Sequence, residues 1–258
     1  MPIRIAELSK TYKKKVSALK WINVHALNRI SYEFTEGTVY GIIGLSGSGK
    51  STLASVLIGY DEPDSGSIFY ENTDVTNKRD KDMKKYSTYI RNVFQDPYSS
   101  LNPVQTVEWH LKNTLKYNAI EKSSSYIENI SGRFGLPVSV YGKRFVETLS
   151  GGERQRLSFL IATIAEPHAI VLDEPFSMID SVNSMYLLNY LKSEKNGRII
   201  IYIDQNVGRV LYTADRIIVM DSGRFVEDAE TERIINDPKT EYTKSILKSY
   251  YEIAASMR

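Results

Sequence analysis

The sequence predicts an α/β fold in which a mixed, largely parallel core sheet carries helices on both faces. An antiparallel β-subdomain is expected at the amino end and a helical subdomain in the middle. Two observations predict this: apolar strand-like runs alternate with helical patterns in the second half of the chain, and half-buried alternating segments come before them. A length of 258 residues and a hydrophobic content of 42% suffice for one large domain or two small ones.

The spacing of the apolar residues predicts the strands and helices along the chain. The segments "IRIAEL" (3–8) and "RISYEF" (29–34) alternate as half-buried antiparallel strands do. The segment "VYGIIG" (39–44) predicts a buried strand that leads into a glycine-rich turn and a helix, "STLASVLIG". Helical patterns follow at 106–115, 124–135 and 181–193. Apolar strand-like runs follow at 169–175, 199–206 and 216–227.

Composition restricts the possible functions. The net charge is +2 with a pI near 8.5, so no long-range field favours nucleic acid. Short basic runs at 12–15 and 81–85 are expected to be solvated surface, the alternative being contact with a lipid or phosphate surface. The absence of cysteine excludes a disulfide, a thiolate metal site and a thiol nucleophile. No segment resembles a signal peptide or a membrane span, so any membrane link is expected to come through a partner.

A motif for nucleotide phosphates lies between a predicted strand and a predicted helix. "GLSGSGKST" (44–52) fits the pattern of Gly, four residues and Gly-Lys-Ser/Thr. Glycines let backbone amides turn inward around an anion, and the following helix presents its positive end. Lys50 is expected to reach the β- and γ-phosphates, and the Ser51 hydroxyl to hold Mg²⁺. The nucleotide-binding residues predicted here are Gly44, Ser46, Gly47, Ser48, Gly49, Lys50, Ser51 and Thr52.

Two adjacent carboxylates follow the apolar run of "AIVLDEP" (169–175). Asp173 is placed to bind Mg²⁺ through water, and Glu174 is the candidate that orients or deprotonates the attacking water. An unpaired buried charge is costly unless a cation compensates it, which favours a functional pair over a chance surface pair. The loop and the carboxylates together predict hydrolysis of Mg-ATP or Mg-GTP.

A third motif, "LSGGERQR" (149–156), identifies a class of ATPase. A Ser-Gly-Gly turn at a helix start exposes amides and a hydroxyl, which form an anion site. With the phosphate loop before it and "VLDEP" after it, the segment resembles the signature of the ATP-binding cassette (ABC) ATPases, and the resemblance covers nearly the whole chain. It implies that Ser150, Gly151 and Gly152, with Glu153 in the same motif, serve an ATP held by the opposite subunit. Two subunits would then close head to tail around two nucleotides.

The same resemblance implies roles for three further residues. Tyr12, in "LSKTY", resembles the aromatic residue that stacks on adenine, the alternative being surface packing. Gln95, in "VFQDPYSSLNP" (93–103), resembles the glutamine that touches Mg²⁺ and the attacking water and links the site to the membrane subunit. Asp180, in "FSMID", resembles the aspartate that crosses the dimer seam.

Two segments are similar to the oligopeptide, dipeptide and nickel importer branch of the family. They are "QDPYSSLNP" and "DPKTEYTKSIL" (237–247), although both also contain residues that turns favour. Many members of that branch continue into a longer, cysteine-bearing tail. This chain has no such tail, so we expect it to resemble the smaller subunit of a two-ATPase pair.

The family places a histidine in an "ITHD"-like stretch, and the aligned residue here is Gln205, between Asp204 and Asn206. A glutamine amide donates a hydrogen bond but carries no positive charge. Losing a charge-assisted contact aimed at the transition state costs about 2.7–4 kcal/mol. The hypothesis is that this chain's own loop lines a slow or non-hydrolysing site, while its signature completes a fast site of a different subunit. The alternative is that Gln205 replaces the histidine adequately because Glu174 does most of the catalytic work.

The resemblance therefore implies the ATP- and Mg²⁺-dependent subunit of an importer for peptides, nickel or metal chelates, at the cytoplasmic face of the membrane. Its implied partners are a second, non-identical ATPase subunit, two transmembrane permeases and, indirectly, an extracellular binding protein. The alternative is an ATPase subunit of a soluble enzyme complex such as carbon–phosphorus lyase. One domain, 1–258, is expected, with its core in about 1–90 and 160–235, a helical subdomain at about 96–160 and a short extension at 236–258.

Overall fold

The computed structural model describes residues 2–17, 20–76, 86, 88–93, 100–176 and 179–256. The strands in these ranges are β1 (Ile3–Lys15), β2 (Trp21–Phe34), β3 (Thr38–Ile43), β4 (Ser65–Tyr70), β5 (Thr73–Asp74), β6 (Ile90–Val93), β7 (Ala169–Asp173), β8 (Ile199–Ile203), β9 (Arg216–Asp221) and β10 (Arg224–Glu230). The helices are α1 (Lys50–Leu57), α2 (Val107–Tyr117), α3 (Ser124–Arg133), α4 (Val138–Tyr141), α5 (Gly151–Ile164), α6 (Ser181–Ser193), α7 (Val207–Thr213), α8 (Thr231–Asn236) and α9 (Glu241–Ser256). None of these helices is long and apolar enough to cross a bilayer.

The described strands form two sheets. The larger has the order β10-β9-β3-β8-β7-β6 and is parallel from β9 to β6, with β10 antiparallel at one edge. The smaller is antiparallel, in the order β2-β1-β4-β5. The predicted α/β fold, with a mixed core sheet and an amino-terminal antiparallel subdomain, is confirmed.

Burial on both faces explains why the central strands are almost wholly apolar. Every residue of β8 is buried, as expected for a parallel strand covered on both sides. Because side chains alternate along a strand, Ile200 and Tyr202 enter one hydrophobic cluster, which includes residues of α2, α5 and α6. Ile201 and Ile203 enter the other, which is shared with α1 and the smaller sheet. The carboxyl ends of β3, β7 and β8 therefore meet at one edge, where the polar motifs begin.

One predicted strand is wrong, and two are too short. The segment 216–227 is a hairpin of β9 and β10, joined by a turn at Ser222 and Gly223, whose φ angles are 47° and 75°. Apolar residues on both sides concealed this turn, although Ser-Gly is a turn signal. The strands predicted at 3–8 and 29–34 are the inner parts of β1 and β2, which continue through a polar ribbon held by cross-strand pairs.

Candidate nucleotide-binding site

The phosphate loop connects β3 to α1, and its last glycine has no room for a side chain. Gly49 precedes the first turn of α1 with a left-handed φ of 109°. A Cβ atom there would lie 2.2 Å from the carbonyl oxygen of Ala26 in β2. Glycine is therefore required at this position both by its backbone conformation and by close contact with the smaller sheet.

Lys50 folds back over the loop that precedes it. Its ammonium donates to the carbonyl oxygens of Gly44 at 2.8 Å and Leu45 at 3.0 Å, and to the hydroxyl of Ser48 at 3.3 Å. Burial lowers the pKa of Lys50, while the carboxylates of Glu174 and Asp173, at the end of β7, oppose this shift. The arrangement is a buried cation held by exchangeable oxygen acceptors, which suits a lysine that binds phosphate oxygens.

Ser51 and Asp173 join the start of α1 to the end of β7. The Ser51 hydroxyl donates to Oδ1 of Asp173 at 3.2 Å. Burial raises the pKa of the Asp173 carboxyl, and the bond from Ser51 partly offsets this. A hydroxyl and a carboxylate are oxygen ligands of the kind that Mg²⁺ prefers, so this pair fits the ion that a nucleotide site implies.

Glu174 and Gln205 are in direct contact across the ends of β7 and β8. Glu174 adopts a left-handed φ of 48°, and its N–H donates to the carbonyl oxygen of Ile203 at 2.9 Å. Nε2 of Gln205 donates to Oε1 of Glu174 at 2.7 Å. The glutamine amide thus occupies an oxygen of the carboxylate that is the candidate base.

Asp204 and Asn206 build the turn that presents Gln205. The buried Asp204 accepts hydrogen bonds from the Tyr202 hydroxyl at 2.6 Å and from the Asn206 N–H at 2.8 Å. The Arg209 guanidinium lies 3.8 Å from the same carboxylate. Asn206 caps α7 by accepting from the N–H of Arg209 at 3.1 Å. Two of the three polar residues after β8 are therefore structural, and Gln205 alone faces the nucleotide cleft.

Tyr12 borders the same cleft from the smaller sheet. Its side chain is 37% exposed, and its hydroxyl donates to Oδ2 of Asp61 at 2.5 Å. Burial, together with the Asp61 carboxylate, raises the pKa of Tyr12 to about 12, so the phenol stays neutral. The cleft has a volume of about 260 Å³. Its described lining residues are Tyr12, Val24, Ala26, Ser46, Gly47, Gly49, Lys50, Ser51, Thr52, Glu174 and Gln205.

The signature motif lies at the start of α5, and its residues are not among the described lining of that cleft. Ser150 and Glu153 form a capping box: the serine hydroxyl accepts from the Glu153 N–H at 3.3 Å, and Glu153 accepts from the Ser150 N–H at 2.7 Å. The Ser150 hydroxyl keeps its own hydrogen to donate. Gly151 and Gly152 form the first turn behind it.

Asp180 stands apart from the cleft. Asp180 is the N-cap of α6, where Oδ1 accepts from the Asn183 N–H at 3.0 Å. It does not belong to the cleft's described lining. Gln95 lies outside the described residues.

Sequence reasoning missed several contacts at this site. Val24 and Ala26 of β2 line the cleft, and Asp61 holds the Tyr12 hydroxyl. The hydroxyl of Tyr242 in α9 accepts from the N–H of Leu45 in the phosphate loop at 3.0 Å. Tyr242 lies in the segment 237–247, whose sequence indicated only the importer branch. No local pattern in that segment predicts a contact with the phosphate loop.

Comparison with known proteins defines the class. The family profile described as "ABC transporter" matches residues 27–177. The oligopeptide transport ATP-binding protein OppF of Lactococcus lactis is 31% identical over 242 residues, which cover 92% of this chain and 75% of that protein. The chain belongs to the ABC transporter family and is an ABC ATPase. Its relatives place it, further, among the ATP-binding subunits of the oligopeptide importer branch.

Solved structures agree with this fold. The dimeric post-hydrolysis structure of the ATP-binding cassette MJ0796 bound to ADP and Pi has a TM-score of 0.74 and 24% identity, and the match covers 89% of this chain and 98% of that one. The structure of an ATP-binding subunit of an ABC transporter has a TM-score of 0.79 and 19% identity, covering 97% of this chain and 100% of that one. At these identities the similarity concerns the fold.

Proposed function

We propose that the chain is the Mg²⁺- and ATP-dependent subunit of a peptide importer, bound peripherally at the cytoplasmic face of the membrane. Its similarity to oligopeptide transport ATP-binding proteins supports peptides as cargo over nickel or metal chelates. Two transmembrane permeases and a non-identical ATPase subunit are its proposed partners, with an extracellular binding protein acting through the permeases.

Each side chain of this chain's own site has a proposed role, which its position in the cleft supports. Lys50 and the loop amides bind the phosphates, and Tyr12 stacks on the adenine. Ser51 and Asp173 would hold Mg²⁺, and the bound ion would neutralise negative charge on the phosphates. Glu174 orients or deprotonates the attacking water. Gln95 lies outside the described residues, and the role proposed for it, contact with Mg²⁺ and the attacking water, rests on the family resemblance alone.

The signature is proposed to serve the other subunit's ATP. Its position outside the described cleft lining supports this, because Ser150 presents a hydroxyl and helix amides to a surface that its own phosphate loop does not share. Gly151, Gly152 and Glu153 complete that turn. Asp180 is proposed to lie at the seam between the two subunits.

The proposal that the two ATP sites of the subunit pair hydrolyse ATP at different rates rests on the contact between Gln205 and Glu174. A neutral amide gives a weaker bond to a γ-phosphate oxygen than an imidazolium does. In the structure, the amide also donates a hydrogen bond to one oxygen of the carboxylate that is the candidate base. The loss of one charge-assisted contact in the transition state corresponds to a rate about 100- to 1,000-fold lower at this chain's own site.

Substitutions in this chain's own site and in its signature should have different effects on ATP turnover in the assembled transporter, and this difference tests the proposal. Glu174→Gln should leave turnover nearly unchanged because its site contributes little, whereas Ser150→Asp, which keeps the helix cap, should lower turnover by on the order of tenfold or more. The reverse pattern would refute the unequal pair. Gln205→His should at most about double turnover, because two sites would then contribute where one did.

Copurification separates the importer from the soluble-complex alternative. Tagged chain should isolate multi-span permeases and a second ATPase subunit, and peptide uptake by that complex should require Lys50. Isolation with metabolic enzymes instead of permeases would support the carbon–phosphorus lyase type of complex and reject the importer.

A further inference from the structure

β1 and β2 continue beyond the small sheet as a two-stranded ribbon. β4 pairs with β1 only as far as Ser9, opposite Ser65. The pairing of β1 with β2 runs on from Thr11 opposite His25 to Lys15 opposite Trp21 without a register shift. The ribbon therefore starts beside the nucleotide cleft and projects away from the sheet that anchors it.

The ribbon has two faces with different neighbours. Directly opposed residues of an antiparallel pair point to the same side, and successive residues alternate. Tyr12 and its partner Val24 both line the nucleotide cleft. Lys13, Lys15 and Trp21 consequently lie on the other face, away from the nucleotide. These lysines are not placed to bind the phosphates of this chain's own ATP.

That second face is cationic and aromatic. Of the six Lys and Arg residues between Glu7 and Glu33, Lys13 and Lys15 lie on this face, and no acidic residue occurs in that interval. Trp21 is 59% exposed and Val16 is 54% exposed. The Lys15 ammonium lies 5.9 Å from the centroid of the Trp21 indole. We call Lys13, Lys15 and Trp21, with Val16 and Lys20 at the tip, the lysine–tryptophan face.

Two acidic groups are engaged at the base of the ribbon. Asp64 accepts from the Thr11 N–H at 2.7 Å, and Asp61 accepts from the Tyr12 hydroxyl. Both bonds precede the lysine–tryptophan face along β1. Neither of these bonds involves a lysine of that face.

Anionic lipid is the partner that this chemistry fits best. Lysine ammonium groups are attracted to anionic headgroups, and tryptophan partitions to the boundary between headgroup and acyl chain. A nucleic acid would favour a broad basic surface, whereas the whole chain has a net charge of only +2. Exposed Val16 and Trp21 beside the lysines favour a surface with an apolar layer behind its charges.

We propose that the lysine–tryptophan face contacts anionic lipid headgroups at the membrane surface. The ribbon would then hold the nucleotide cleft at a set distance from the bilayer, since Tyr12 lies at its base. This inference rests on the proposed location beside membrane permeases. It is nonetheless measured on the purified chain, without any permease.

The experiment is vesicle co-sedimentation at low and physiological ionic strength. The full chain should bind vesicles containing phosphatidylglycerol and bind pure phosphatidylcholine vesicles far more weakly, with binding that falls as salt screens the lysines. The triple variant K13Q/K15Q/K20Q should lower the partition coefficient by on the order of 100-fold. Trp21→Ala should also lower it. Because these side chains lie on the exposed ribbon or at its tip, the variants should have the same Tm and the same nucleotide affinity as the unsubstituted chain.

A matched control changes the same charge elsewhere. Lys112, Lys239 and Lys248 are more than half exposed and lie outside the ribbon. The variant K112Q/K239Q/K248Q should bind the vesicles as the parent does.

Three results would overturn the inference: no vesicle binding by the parent, equal loss in the control and the ribbon variant, or tighter capture of a duplex DNA oligonucleotide than of the vesicles. Failure of the proposed function would be recognised separately, as a lack of ATP-dependent uptake in the assembled complex.

Discussion

Removing one hydroxyl beneath Gln205 tests whether Tyr202 and Asp204 support the turn after β8. Tyr202 is fully buried, and its ring packs at 5.8 Å, centroid to centroid, against Phe176. Tyr202→Phe keeps that ring packing and removes only the bond to the Asp204 carboxylate. The substitution should therefore report on the hydrogen bond and not on a cavity.

The expected loss follows from the partners that remain. A hydrogen bond to a charged group contributes about 1.5–3 kcal/mol. Asp204 would still accept from the Asn206 N–H and lie near Arg209, so the lower part of that range applies, about 1.5–2 kcal/mol. For a chain of this size, Tm should fall by about 3–8 °C.

Thermal unfolding of Tyr202→Phe, Asp204→Asn and the double variant forms a double-mutant cycle. The two substitutions should be coupled, because they remove the same bond. Tyr212→Phe is the matched control: its hydroxyl donates to Asn189 at 2.7 Å, but the residue is 44% exposed. It should change stability by less than about 0.5 kcal/mol. Additive effects, or an equal loss in the control, would refute a buried charge-assisted bond.

Three further predictions concern the site. Gly49→Ala should lower Tm and abolish binding of a fluorescent ATP analogue, because the added Cβ meets backbone at 2.2 Å; Gly132→Ala, in a helix with open space, should instead stabilise by up to about 1 kcal/mol. Since burial raises the pKa of Asp173 above its ordinary 3.8, ionisation destabilises the fold, so Asp173→Asn should raise the Tm of metal-free protein at neutral pH. The gain in Tm should shrink as pH falls towards 3.8, where the carboxyl becomes protonated. The Asp173→Asn variant should also lose the Mg²⁺-dependent stabilisation by ATP. A lower Tm of the variant at neutral pH would contradict the predicted sign. Ser150→Ala should lower stability by about 1 kcal/mol in chemical denaturation, whereas Ser150→Asp should not, and equal losses would argue against the cap.

Much of the site was predictable because its chemistry depends on local spacing. The phosphate loop needs glycines and a lysine at set intervals before a helix, and the structure places Gly49, Lys50 and Ser51 at the start of α1 as expected. Asp173 ends a buried strand and Glu174 follows it, and this spacing is equally local. The hairpin at 216–227 was missed because the apolar pattern continues through the turn at Ser222 and Gly223.

The sequence by itself determined the class of protein, since its three motifs each carry their chemistry within a few consecutive residues. Only the tertiary structure decided which side chains meet. Gln205 bonds to Glu174, 31 positions away, and Tyr242 reaches Leu45, 197 positions away. It also decided, through the register of β1 and β2, that Lys13 and Lys15 face away from Tyr12. Such contacts depend on how strands and helices pack after the chain has folded, and no local spacing encodes them.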